Sequence, residues 1–163
     1  MVEGAGSKDG LPPLIIGVGQ PWRGDDAAGL DALALLDGGG PWDCRPHHGE
    51  GLGLIALWED RPLVLVIDAA QSGAAAGTLH RLEVDDSAAL EGAGFRCSSH
   101  AFGVREAIET ARALEKLPDR LIVHAVEGAR WDLGEPLSDA VAAALPALAH
   151  AVRRDLYRLA DAF

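Results

Sequence analysis

One stretch constrains this chain more than any other: Leu14-Ile15-Ile16-Gly17-Val18-Gly19-Gln20-Pro21-Trp22-Arg23-Gly24-Asp25-Asp26. A short β-branched run followed by Gly-x-Gly predicts a buried central strand whose backbone turns sharply at its carboxyl end. Two adjacent carboxylates follow, where Ala27 to Leu36 carries the pattern of a helix. An Asp at a helix start accepts hydrogen bonds from free backbone N–H groups, and its charge suits the helix dipole. Asp25 is therefore expected to cap the helix. Asp26, one step further in, is left for other work.

The remaining chain repeats the strand-then-helix alternation. Gly38-Gly39-Gly40-Pro41 ends the first helix, Asp43 to His48 reads as a weak strand, and Leu52 to Trp58 as a short helix. Pro62 to Asp68 is an unbroken apolar run closed by an acid, the signature of a parallel strand buried on both faces. Leu79, Leu82 and Val84 alternate, which predicts an antiparallel or edge strand from Thr78 to Val84. A helix is predicted from Ser98 to about Glu115, with Val104, Ile108, Ala111 and Leu114 on one face. Arg120 to Val126 reads as the last strand. Ser138 is expected to cap a final amphipathic helix, which Pro146 is expected to kink or divide. The order implies an α/β fold: a single three-layer domain over 13–163, with a mostly parallel twisted sheet of about five strands, one antiparallel edge strand, and helices on both faces. Residues 1–12, Gly-rich and polar at the start, are expected to form a flexible tail.

Composition excludes some functions. With 25 acidic against 14 basic residues and a net charge of −11, the chain offers no basic stripe to a phosphate backbone. No segment approaches the ~18 consecutive apolar residues of a membrane span, and the amino terminus lacks the apolar core of a signal peptide. Two cysteines, Cys44 and Cys97, make no disulfide framework. A cytoplasmic protein that binds neither nucleic acid nor membrane is expected.

In open α/β sheets, sites form outside the carboxyl ends of the strands. That rule places Asp25 and Asp26, Asp68 and His100 on one rim. Asp26, Asp68 and His100 are a plausible ligand set for a divalent transition metal, because imidazole suits nickel or zinc better than magnesium or calcium. Each also has a plainer reading. Asp68 could cap a turn, and His100 could open its helix behind Ser98 or Ser99; a lone histidine is more often structural than a ligand. Only their convergence favours a site. His47 and His48 could face the same rim, whereas His80, His124 and His150 read as ordinary strand or helix positions. Gly17-x-Gly19 is not a dinucleotide turn, since Pro21 and Trp22 bring bulk where the pyrophosphate would approach. Cys97, three residues before His100, carries no sign of an activated thiol.

These blocks resemble the nickel-iron hydrogenase maturation endopeptidases. GVGQPWRGDDAAG is similar to the family's G-x-G-N…D-[DE]-x-x-G signature, VIDAAQSG to its strand-terminal Asp, SSHAFGVREAIETARAL to its Ser-His before a helix, and VEGARWDLGEPLSDAV to its I-E-x…G…L-S-x-x-V region. The blocks run in the family's order from Leu14 to Val152. Gln20 stands where Asn is usual, Asp26 where some members carry Glu, and His47 to Gly51 departs from the pattern.

The resemblance implies that Asp26, Asp68 and His100 contact nickel already installed in a hydrogenase large-subunit precursor, the protein's partner. Nickel would be recognised in that precursor, and the protease would then remove a short carboxyl-terminal peptide. It also implies an α/β fold and the absence of a serine or cysteine nucleophile. The chain is expected to act as a monomer. The competing reading is a non-catalytic, nickel-dependent assembly factor using the same three residues. An inactive α/β relic is disfavoured by their retention.

Overall fold

In the computed structural model, residues 10–84 and 103–161 are described, and the long apolar run forms strand β3 (Leu63–Ala70) at the centre of the sheet. Around it lie β1 (Leu14–Val18), β2 (Asp43–His47), β4 (Leu79–Val84) and β5 (Arg120–Glu127), in the order β2-β1-β3-β5-β4. Pairing is parallel except between β4 and β5. The helices are α1 (Ala28–Ala34), α2 (Gly51–Trp58), α3 (Val104–Ala113) and α4 (Asp139–Ala160). The expected element order and the antiparallel edge strand are both present. No described helix is long and apolar enough to cross a membrane.

The strand period of two sorts the core into two layers. On β3, Leu63, Leu65, Ile67 and Ala69 pack with α1 and α4, while Val64 and Val66 pack with α2 and α3. Asp68 is in phase with Val64 and Val66, so it falls on the α2/α3 side of the sheet.

Three expectations need correction. The first helix does not start at Ala27: a 3-10 turn over Gly24–Ala27 precedes α1, and no side chain caps either. Ser138 occupies the position before α4, but its hydroxyl does not cap; it donates to Asp25 instead. Pro146 does not divide α4, which runs through to Ala160. Pro146 and Ala142 both lie on the solvent face, so the carbonyl orphaned by the missing N–H can turn to water. The described part of α3 begins at Val104 with Gly103 before it, where Glu106 accepts from Gly103 N at 2.9 Å. The predicted start at Ser98 lies outside the described residues.

On the α4 side, His124 and Asp155 are almost fully buried and meet at 2.9 Å; Arg81 donates to Asp155 at 2.7 Å and Arg158 at 3.1 Å. Burial holds the His124 imidazole below its ordinary value of 6.5, with Asp155 opposing and Arg81 and Arg154 assisting. For Asp155, burial acts upward, but the Arg81 hydrogen bond and charge outweigh it and hold the carboxyl below 3.8. A depressed histidine means that the unfolded chain takes up protons first. Stability is thus complete above about pH 7 and is lost as pH falls below the ordinary histidine value. The urea midpoint is expected to drop across that window, and His124→Gln to flatten the drop.

Candidate active site

The chain turns back between β1 and β3: β1 leads to β2 on one side, and β3 leads toward β5 and β4 on the other. This is the topological switch point, where open α/β sheets place their sites. Three glycines bring the pieces close. A Cβ on Gly29 would lie 2.3 Å from Val18 O and 2.4 Å from Ile67 O, so the start of α1 sits directly on the ends of β1 and β3. A Cβ on Gly17 would lie 2.5 Å from Gly29 O, and one on Gly19 (φ +156°) 1.9 Å from Asp26 O. The 3-10 turn carrying Asp25 and Asp26 packs against β3 accordingly.

Asp26 and Asp68, both fully buried, therefore reach one rim. Asp26 Oδ2 accepts from Gln20 N at 3.1 Å, so the Gly19-Gln20 turn orients that carboxylate. Asp68 lies two residues before the end of β3, and its Oδ1 accepts from Ala69 N at 2.8 Å. Its backbone belongs to the strand. His100 and Cys97 lie outside the described residues. Among the described residues, no three His, Cys, Asp or Glu side chains are grouped to hold a metal ion.

Asp25 does not cap a helix. Its buried carboxylate accepts from Ala129 N (2.7 Å), Arg130 N (3.0 Å), Ser138 N (2.7 Å) and Ser138 Oγ (2.9 Å). Burying a carboxylate costs several kcal/mol, and hydrogen bonds to a charged acceptor each return about 1.5–3 kcal/mol, so four donors can offset the burial.

Glu127, at the end of β5, is the second buried acid that sequence reasoning gave no task. It accepts from Ser72 N (2.8 Å), Ser72 Oγ (2.9 Å) and Gly73 N (2.9 Å), and His80 Nε2 lies 3.1 Å away. Burial acts to raise its pKa, but the bonds from Ser72, His80 and Gly73 hold it below 4.5. Ser72, Glu127 and His80 are not a catalytic triad. The serine donates straight to the carboxylate, and the imidazole is not between them to take its proton. The one signal for Glu127 was its place in the VEG block.

His47 and His48 close the end of β2. Their rings stack with centroids 4.7 Å apart, His47 Nδ1 accepts from Gly49 N at 2.9 Å, and His47 O accepts from Gly19 N at 3.0 Å. Burial, and then His48, hold the His47 imidazole below 6.5. Cys44 is half-buried, and desolvation with nearby Asp37 and Asp43 pushes its thiol up to about 11, the opposite of an activated nucleophile.

Comparison with known proteins follows the same line. A family model described as HycI, hydrogenase maturation protease, matches residues 49–155, a span that contains Asp68, Glu127 and Ser138. The hydrogenase expression/formation protein HupD of Rhodobacter capsulatus is 29% identical over 155 residues, covering 86% of this chain and 69% of that protein. Among solved structures, the hydrogenase maturating endopeptidase HybD from E. coli superposes with a TM-score of 0.72 at 18% identity, covering 91% of this chain and 93% of that one. The hydrogenase maturation protease HybD from Thermococcus kodakarensis gives 0.69 at 21% identity, covering 88% and 98%. At these identities the two structures establish the shared fold.

Proposed function

The chain belongs to the hydrogenase maturation protease family, and we propose that it removes the carboxyl-terminal extension of a nickel-iron hydrogenase large-subunit precursor after nickel is installed there. The observation that carries this reading is the arrival of Asp26 and Asp68, both buried, at the β1/β3 switch point. We assign His100 as the third member of the set. Two carboxylates and an imidazole are donors that a divalent transition ion accepts, and here the ion belongs to the substrate.

Nickel so held would polarise the scissile carbonyl and acidify water at the site. The protein's own residues do the rest. Asp26, oriented by the Gln20 amide, and Asp68, fixed in the sheet, would grip the ion from the protease side. Ser72 and Ser138 both spend their hydroxyls on carboxylates, and the Cys44 thiol is held protonated, so these three are poorly suited to attack a peptide. Trp22 is 78% and Leu133 72% exposed, and Gly134 N donates to Trp22 O at 2.6 Å. The reaction belongs in the cytoplasm, where Cys44 would stay reduced.

The test is the intact mass of the large-subunit precursor after incubation with the protein. Loss of the carboxyl-terminal peptide is expected. A stable complex with no change in mass would support the assembly-factor reading instead.

A further inference from the structure

Resting on the protease reading above, we propose that Asp25 is a positioning residue for the reaction, setting where Asp26 stands relative to Asp68. The two neighbouring carboxylates leave the same 3-10 turn in opposite senses. Asp26 accepts from the Gly19-Gln20 turn, whereas Asp25 is consumed by four donors from the segment that joins β5 to α4. The backbone is tied to that segment as well: Gly24 N donates to Glu135 O at 2.9 Å, and Asp25 N to Arg130 O at 2.6 Å.

The contact is built closely. A Cβ on Gly24 (φ +54°) would lie 2.4 Å from Arg130 O, and one on Gly128 3.0 Å from Asp25 Cβ. Strands β1 and β5 are not neighbours, because β3 lies between them. The Asp25 clamp therefore joins the loops on either side of the strand that carries Asp68. No residue intervenes between the clamp and Asp26, so a displacement of one moves the other.

The experiment compares wild type, Asp25→Asn and Asp25→Ala by amide hydrogen exchange read by NMR and by cleavage of nickel-loaded precursor, at a temperature where each variant is fully folded. The decisive amide is Gln20, which reports the placement of Asp26 because it donates to Asp26 Oδ2. In Asp25→Ala the Gln20 amide is expected to exchange at least about tenfold faster. Turnover per folded molecule is expected to fall about 10²-fold, with precursor affinity unchanged. Asp25→Asn keeps one acceptor oxygen but turns an N–H toward a donor, and is expected to fall between; it also serves if the alanine variant does not fold. Wild-type exchange at Gln20, or wild-type turnover per folded molecule, would overturn the proposal. If the wild-type protein cleaves no precursor, the protease reading fails, and Gln20 exchange alone decides the positioning role.

Discussion

Asp68→Asn is expected to reduce precursor cleavage by about 10²- to 10³-fold, equivalent to roughly 3–4 kcal/mol of lost transition-state stabilisation. The amide has the size of the acid and retains an oxygen that can accept from Ala69 N. What changes is one donor oxygen and the charge, at a position buried on the site side of β3. Melting temperature should stay within a few degrees of wild type, while the rate of peptide release, read by intact mass, should collapse. His100→Ala is expected to abolish cleavage with the fold preserved; unchanged turnover in that variant would remove His100 from the proposed set. Loss of activity together with loss of folding in Asp68→Asn would instead make Asp68 a structural acid.

The second large effect concerns stability. Replacing a glycine inside a helix with alanine ordinarily stabilises by up to about 1 kcal/mol. At Gly29 the reverse is expected. The new Cβ would meet backbone oxygens of both Val18 and Ile67 well inside contact distance, and sheet backbone cannot step aside as a side chain would. Helix α1 must then lift from β1 and β3, at a cost of about 3 kcal/mol, or a melting temperature lower by about 10 °C. Gly38→Ala is the useful comparison. Gly38 sits at φ +69° with open space around it, so only backbone strain of about 1 kcal/mol applies. A Gly29→Ala variant as stable as Gly38→Ala would mean that the close approach does not matter.

These two sites also show what was legible in the sequence. Periodicity gave the strands, because burial on one or both faces is written into neighbouring residues. The unbroken run ending in Asp68 identified the central strand, and the spacing of Leu82 and Val84 the antiparallel edge, with Leu79 out of phase on the opposite, exposed face. Gly17 and Gly29 were harder. Their role is contact between elements, and a glycine that makes room for another backbone looks in sequence like one that makes a turn. Asp25 was misread for the same reason. A carboxylate before a helix suggests a cap, yet its partners lie up to 113 residues away, at a separation no local pattern reports. Pro146 does not divide its helix, since its cost depends on which face it occupies. Glu127, with partners on β4 and the loop after β3, was recognisable only as part of a block.

Cleavage of nickel-loaded against nickel-free large-subunit precursor, followed side by side by intact mass, tests the central claim most directly. The account predicts loss of the carboxyl-terminal peptide in the loaded sample alone, and no such loss when Asp68→Asn replaces the wild-type protein. Equal cleavage of both precursors would contradict a site in which Asp26, Asp68 and His100 read the metal.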